Sequence, residues 1–194
     1  MTRTLRYLSH PQVLIDPAQE VTRWSLNAIG AARVEALAAR LGRLAGTTRV
    51  ISSAETKALE TARPLAAALG APLEIRPLMH ENDRSATGFL PPEEFERVAD
   101  AFFADPSQSV RGWETAIAAQ QRIMAELDAC LSGEGTGDIL FVGHGAVGTL
   151  LFCALSRIQI DRRHDQGPGG GGCWFECDAA GRVPLQGWQP METL

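Results

Sequence analysis

Thr4-Leu5-Arg6-Tyr7-Leu8-Ser9-His10-Pro11 decides how this chain is read. Leu5, Tyr7 and Leu8 describe a short apolar strand, which stops at a histidine where the following proline makes the chain turn. The arrangement recurs far downstream, where Asp138-Ile139-Leu140-Phe141-Val142-Gly143 runs into His144-Gly145 and an apolar helical stretch. Two histidines at the ends of two strands converge on one edge of an α/β sheet, the edge on which such sheets carry their sites. The pair points to histidine chemistry on an anionic or acyl group.

Outward from these two segments, strand and helix patterns alternate. Residues 11 to 23 read as a loop punctuated by Pro11, Asp16 and Pro17, long enough to serve a function. From Ser25, a suitable N-cap, the residues Leu26, Ile29, Ala32, Val34, Leu37, Leu41 and Leu44 recur at helical spacing and predict one buried stripe. Thr48 to Ser52 reads as a second strand, and Ser53 or Ala54 opens a helix through Leu69 that Gly70 and Pro72 close. Leu73-Glu74-Ile75 is a third strand. The stretch from Arg76 to Pro92 is too long for a simple connection and is expected to form part of a site.

Pro92-Glu93-Glu94 starts a helix running to about Ala104, with acidic residues where the helix dipole favours them. A longer amphipathic helix, Glu114 to Leu131, presents Ile117, Gln121, Met124, Leu127 and Leu131 on one face and is ended by Gly133, Gly135 and Gly137. After the strand 138–143 and a helix over 146–156, the glycines 169 to 172 read as a flexible turn, with strands over 173–177 and 182–188. A phosphate-cradling loop is the less favoured alternative for these glycines, since no helix N-terminus follows. Parallel strands need crossover connections and helices supply them, so the pattern predicts an α/β fold, a three-layer αβα sandwich around a mainly parallel sheet. One domain over residues 1–194 is expected, with a site-forming loop and helix region at about 76–112.

Composition narrows the function classes. With 18 Lys and Arg against 23 Asp and Glu the chain carries a formal charge of -5, which disfavours non-specific nucleic-acid binding. A phosphate site must then be a local cluster of positive groups. Cys130, Cys153, Cys173 and Cys177 lack paired C-x-x-C spacing and read as free thiols, so no metal site is expected. No leader-like or bilayer-spanning apolar run occurs, and a cytoplasmic monomer or homodimer without membrane contact is expected.

In order along the chain, these residues resemble the histidine phosphatase superfamily, the phosphoglycerate mutase-like fold. The matching pieces are His10 after the first strand; Trp24, Leu26 and Gly30 at a helix start; Ser52, Ser53, Lys57, Thr61 and Ala62 around the second strand-to-helix turn; Glu81 after the third strand; and His144-Gly145. The resemblance implies a phosphohydrolase acting on a small phosphomonoester through a phosphohistidine intermediate. His10 would be the nucleophile, attacking as neutral imidazole with its other nitrogen held by a backbone carbonyl. His144 would donate to the phosphoryl oxygens and Glu81 would protonate the leaving group. Ser9, Ser53 and Lys57 would complete the phosphate site, and the mechanism needs no cofactor.

The chain also departs from the family pattern. Where the family has Arg-His-Gly, this chain has Ser9-His10-Pro11, which removes a planar cation suited to bidentate phosphate contact. A charged hydrogen bond of that kind is worth about 1.5 to 3 kcal/mol, or about 10- to 150-fold in rate. Lys57 stands where the family has a second Arg, and Gln12 where it has an acid. Arg84, on the same loop as Glu81, is the candidate compensating ligand. The alternative reading is a catalytically impaired member that binds a phosphorylated ligand or protein partner without turnover. A Ser-His hydrolase is a weaker third reading, because adjacent Ser9 and His10 point to opposite faces of a strand and no G-x-S-x-G elbow is present.

Overall fold

The computed structural model describes residues 3–132, 137–180 and 182–194. Strand β1 (Thr4–Ser9) runs parallel to β4 (Asp138–Gly143), with Leu5 opposite Ile139 and Ser9 opposite Gly143. The His10 N–H extends this ladder by donating to the Gly143 carbonyl at 2.9 Å. Both histidines therefore leave the sheet side by side.

Strand β2 (Thr47–Ser53) pairs parallel to the other side of β4, and β3 (Leu73–Arg76) pairs parallel to β2. Beyond β1 lie the antiparallel strands β5 (Cys173–Asp178) and β6 (Gln189–Pro190), giving the order β3-β2-β4-β1-β5-β6. The two-residue period of the strands divides the apolar side chains between two cores. Ile139 and Phe141 join Leu5, Tyr7 and Phe175 under α4 (Ala116–Leu131) and α5 (Gly145–Ser156). Leu140 and Val142 join Leu8, Val50 and Trp174 under α1 (Ala28–Arg40) and α2 (Thr56–Leu69).

The result is the three-layer α/β architecture that the alternation predicts. It has one consequence for the site. β1 leads into α1 on one face while its neighbour β4 leads into α5 on the other, so a crevice opens between their carboxyl ends. Helix α3 (Pro92–Ala104) closes over that crevice, packing through Val98, Phe102 and Phe103 onto Trp113, Ala116 and Leu150 in a third, smaller core.

Several local expectations are corrected. The N-cap of α1 is Asn27, whose side chain accepts the Gly30 N–H at 2.9 Å, and Ser25 lies outside the helix. Ile29 faces solvent because the buried stripe of α1 is Gly30, Val34 and Leu37. On α4 the buried face is Ala116, Ala119, Ile123, Leu127 and Cys130, which leaves Ile117 exposed. That helix ends at Leu131; Gly133 and Gly135 lie outside the described residues. The strand expected over 182–188 is reduced to one bridge between Pro184 and Cys177, and pairing resumes only at Gln189. Pro184 has no N–H for a ladder and Gly187 adds no cross-strand packing.

The glycine run is a pinned element rather than a flexible turn. Gly172 N–H donates to the His10 carbonyl at 2.9 Å, Arg33 donates to the carbonyls of Gly171 and Gly172, and Gln12 donates to that of Gly169. Gly171 sits at φ +89° with its α-carbon so close to His10 that a β-carbon would lie 2.2 Å from the His10 carbonyl oxygen. Only glycine fits there.

The cap assignment is testable by urea unfolding. Asn27→Ala is expected to lower stability by about 1 kcal/mol, whereas Ser25→Ala should stay within about 0.5 kcal/mol of the parent. Equal effects would contradict the assigned cap.

Candidate active site

His10 continues β1 by one residue, and its ring is oriented by its own turn: Nδ1 lies 2.9 Å from the Pro11 carbonyl oxygen. A carbonyl only accepts, so Nδ1 carries the proton and Nε2 is left with a free lone pair. The ring meets that of His144 edge to face, with centroids 5.3 Å apart. Burial first, and then the proximity of His144 and Lys57, lower the His10 pKa to about 3, so the ring is neutral at pH 7.

His144 is fully buried, and burial lowers its pKa to about 4 despite the opposing pull of Glu55. Its backbone is clamped by the Tyr7 phenol, which accepts the His144 N–H at 2.9 Å and donates to the His144 carbonyl at 3.0 Å. On the imidazole, Nε2 lies 2.9 Å from Ser53 Oγ and 3.6 Å from Glu55 Oε1, while Nδ1 is buried with no hydrogen-bond partner among the described residues. An unpaired buried nitrogen costs about 1 to 3 kcal/mol, a cost that a bound ligand can remove.

Glu55 is one residue that sequence reasoning missed. Its carboxylate is buried, pairs with Lys57 Nζ and accepts the Glu81 N–H at 2.9 Å. Burial alone would raise its pKa, but the attraction of His144 and Lys57 and the hydrogen bonds from Lys57 and Glu81 bring it down to about 2. In the sequence, an acid just ahead of a helix reads as a partner for the helix dipole, which hides this role. Lys57 also donates to the Val21 carbonyl at 2.9 Å, so one of its three N–H donors stays free toward the cavity it lines. Ser53 does not line the cavity; it supports His144 and accepts the Glu55 N–H at 3.3 Å.

Glu81 is delivered by the loop after β3. Arg122 of α4 holds that loop through the carbonyls of Leu78, His80 and Glu81 and is itself fixed by an ion pair with Glu114. The Glu81 carboxylate accepts N–H bonds from Val147 at 2.9 Å, Asn82 at 3.1 Å and Ala146 at 3.3 Å. Two of these donors are the otherwise orphaned N–H groups that open α5. The carboxylate is thereby anchored beside the strand end that carries His144.

These elements enclose a cavity of about 780 Å³, lined among others by His10, Lys57, Glu81, Arg84 and the glycine run. Arg84 lies over the Phe95 ring at 4.9 Å and the Trp24 ring at 5.9 Å and forms no ion pair with a carboxylate among the described residues. Cation–π contact holds the guanidinium without neutralising it. Ser9 does not line the cavity: its fully buried hydroxyl lies 2.5 Å from Gln166 Oε1 and accepts the Cys173 N–H at 3.0 Å. Arg163, exposed at the cavity margin, and Asp165 and Gln166 also line the cavity and were not singled out from sequence. Burial first, then the charge of Glu81, raises the Asp165 pKa. Asn82, buried in the same wall, has an Nδ2 with no hydrogen-bond partner among the described residues.

Of the residues expected from sequence, the structure brings His10, Glu81, Lys57 and Arg84 to one cavity, with His144 and Ser53 directly behind it. Trp24 contributes to the wall, whereas Trp113 is buried in the α3 core. Among the described residues, no group of three or more His, Cys, Asp or Glu is placed to hold a metal ion, and no helix is long and apolar enough to cross a membrane.

Similar architectures are known. A phosphoserine phosphatase from Entamoeba histolytica, in complex with 3-phosphoglyceric acid, has TM-score 0.77 and 18% identity, covering 99% of this chain and 100% of that one. A putative alpha-ribazole-5'-P phosphatase from Escherichia coli has TM-score 0.75 and 20% identity, covering 97% and 98%. A mycobacterial glucosyl-3-phosphoglycerate phosphatase has TM-score 0.75 and 18% identity, covering 96% of each chain. No curated protein matches by sequence. The model of the histidine phosphatase superfamily (branch 1) matches residues 15–181, a span that starts after His10. On that match, which takes in most of its length, the chain belongs to the histidine phosphatase superfamily.

Proposed function

We propose that the protein hydrolyses a small phosphomonoester through a phosphohistidine at His10. The observation that carries this reading is the His10 ring itself: neutral, with Nδ1 committed to Pro11 and Nε2 free, beside a buried His144 whose Nδ1 lacks a partner. In the first step His10 Nε2 bonds to phosphorus as the bond from phosphorus to the ester oxygen breaks. Glu81, as the acid, gives its proton to the departing oxygen. In the second step water attacks phosphorus, the P–N bond breaks, and Glu81 takes the water's proton, releasing orthophosphate and neutral His10.

Charge on the non-bridging oxygens is met by His144 Nδ1–H, by the free N–H of Lys57 and by Arg84. Ser53 supports the required tautomer when its hydroxyl donates to His144 Nε2, since the proton then resides on Nδ1. Arg84 is suited to the place of the arginine that Ser9 replaces, because it is the guanidinium in this cavity that has neither an ion pair nor a hydrogen bond among the described residues. Names of similar structures, such as phosphoserine and ribazole-5'-phosphate phosphatases, suggest a substrate of that size class.

The second reading, a binding protein without turnover, is favoured by one feature: the charge of Lys57 is largely neutralised by Glu55. An aryl phosphate assay separates the two. The hydrolase reading expects turnover that His10→Ala abolishes and that Arg84→Ala lowers by about 10- to 150-fold in kcat/KM. Absence of turnover across a broad phosphomonoester panel, with orthophosphate still bound, selects the binding protein. Unchanged turnover in Arg84→Ala removes Arg84 from the site.

The pKa shifts give two further expectations. Because His10 is already neutral well below pH 6.5, kcat/KM should not fall with a pKa near 6.5 on the acid side, once the substrate's own second ionisation near pH 6 is allowed for. An acid limb at 6.5 assignable to the enzyme would contradict the neutral nucleophile. Stability follows the same groups. Between 6.5 and the folded values of about 3 and 4, the unfolded chain binds protons that His10 and His144 do not. Their contribution is complete above pH 6.5 and is lost as pH falls toward 4 and then 3; that of Glu55 is present above 4.5 and is lost toward 2. Urea titrations from pH 7 to 4 should show this decline, and His144→Gln should flatten it.

A further inference from the structure

We propose that Gln166 is a neutral phosphoryl-oxygen ligand, locked in its working orientation by the buried hydroxyl of Ser9. The assignment rests on the reading of the cavity as a phosphomonoester site. Ser9 Oγ and Gln166 Oε1 are 2.5 Å apart, a separation that belongs to O–H···O contacts and is short for N–H···O. Ser9 Oγ accepts the Cys173 N–H, and of the two acceptors within reach of its single proton the Gln166 oxygen at 2.5 Å is much closer than the Cys173 carbonyl at 3.2 Å, so the proton goes to Gln166. The carboxamide oxygen therefore turns toward Ser9 and the amide nitrogen turns away.

The nitrogen packs directly on Gly145, where an added β-carbon would lie 2.2 Å from Nε2. Gly145 follows His144, and both Gly145 and Gln166 line the cavity with His10. Gln166 Nε2 has no acceptor among the described residues, so both of its N–H donors are available to a ligand. The rest of the residue is held as firmly: its N–H donates to Asp165 Oδ1 at 2.8 Å, and its carbonyl accepts from the Cys173 thiol at 3.8 Å. Such a fixed, uncharged donor loses little freedom on binding and adds no charge beside a nucleophile that must stay neutral. Ser9 acts through Gln166 and is a positioning residue; it does not touch the ligand.

The test uses the full chain, with orthovanadate and orthophosphate as inhibitors of aryl phosphate hydrolysis and as ligands in an NMR titration of the side-chain amides. Gln166→Leu is expected to weaken both anions and lower kcat/KM by about tenfold or more. Ser9→Ala should give a smaller loss that Ser9→Thr restores, and Ser9→Ala added to Gln166→Leu should cost nothing further. In the parent chain the Gln166 side-chain amide signals should shift as orthophosphate is added. Gln166→Leu is half-buried at the cavity wall, so its result stands even where Ser9→Ala impairs folding. If the parent binds phosphate and Gln166→Leu binds it equally well, or the two substitutions add in full, the assignment is overturned while the hydrolase reading survives. If the parent neither turns over the ester nor binds either anion, both fall together.

Discussion

Parallel pairing of β1 with β4 is the constraint on which the site depends. Its register sets Ser9 opposite Gly143, and the added bond from His10 N–H to the Gly143 carbonyl brings the two histidines to one edge. The Tyr7 phenol secures the same junction from below by satisfying both backbone polar groups of His144. A one-residue slip would turn every side chain of β1 to the other face and break this contact along with both cores. Core packing and the alignment of the histidines are thus determined together.

Charge inside the site is arranged by pairing, with selected groups left unpaired. Lys57 and Glu55 offset one another, and Glu81 is held by backbone donors at the start of α5. Arg84 keeps its full charge because aromatic faces hold it in place of a carboxylate. Burial keeps both histidines neutral, the form that the proposed chemistry needs, with one ring attacking and the other donating a hydrogen bond without repelling its neighbour. Ser9 fits this scheme, since it connects the first strand to Gln166 while the glycine run closes tightly over the His10 carbonyl.

Much of this was legible along the chain because it rests on local chemistry. Strands β1 and β4 announce themselves by apolar runs ending at His10 and His144, and Gly70 closes α2 in the left-handed conformation that the sequence suggested. Misreadings arose where a neighbour in space outweighs the local pattern. Asn27 displaced Ser25 as a cap because the bridge between Val13 and Leu26 carries extended chain up to the helix. Ile29 and Ile117 fit a helical stripe, yet the helices are rotated so that smaller residues turn inward, Gly30 against the Gln12 backbone and Ala116 into the core beneath α3. The glycines 169–172 carry no signal for the carbonyl partners that hold them, because Gln12 and Arg33 lie well over a hundred positions away.

The sequence by itself determined the α/β class, the two histidines at strand ends and the family order of His10, Lys57, Glu81 and His144, because periodicity and strand-to-helix junctions are properties of adjacent residues. Only the tertiary structure decided which of the polar candidates face the cavity. It moved Ser9 and Ser53 into supporting positions, brought in Glu55 and Gln166, and set Arg84 against aromatic faces. The physical reason is that hydrogen bonds and ion pairs between distant segments depend on how strands are ordered and helices rotated, which the chain specifies only once it is packed.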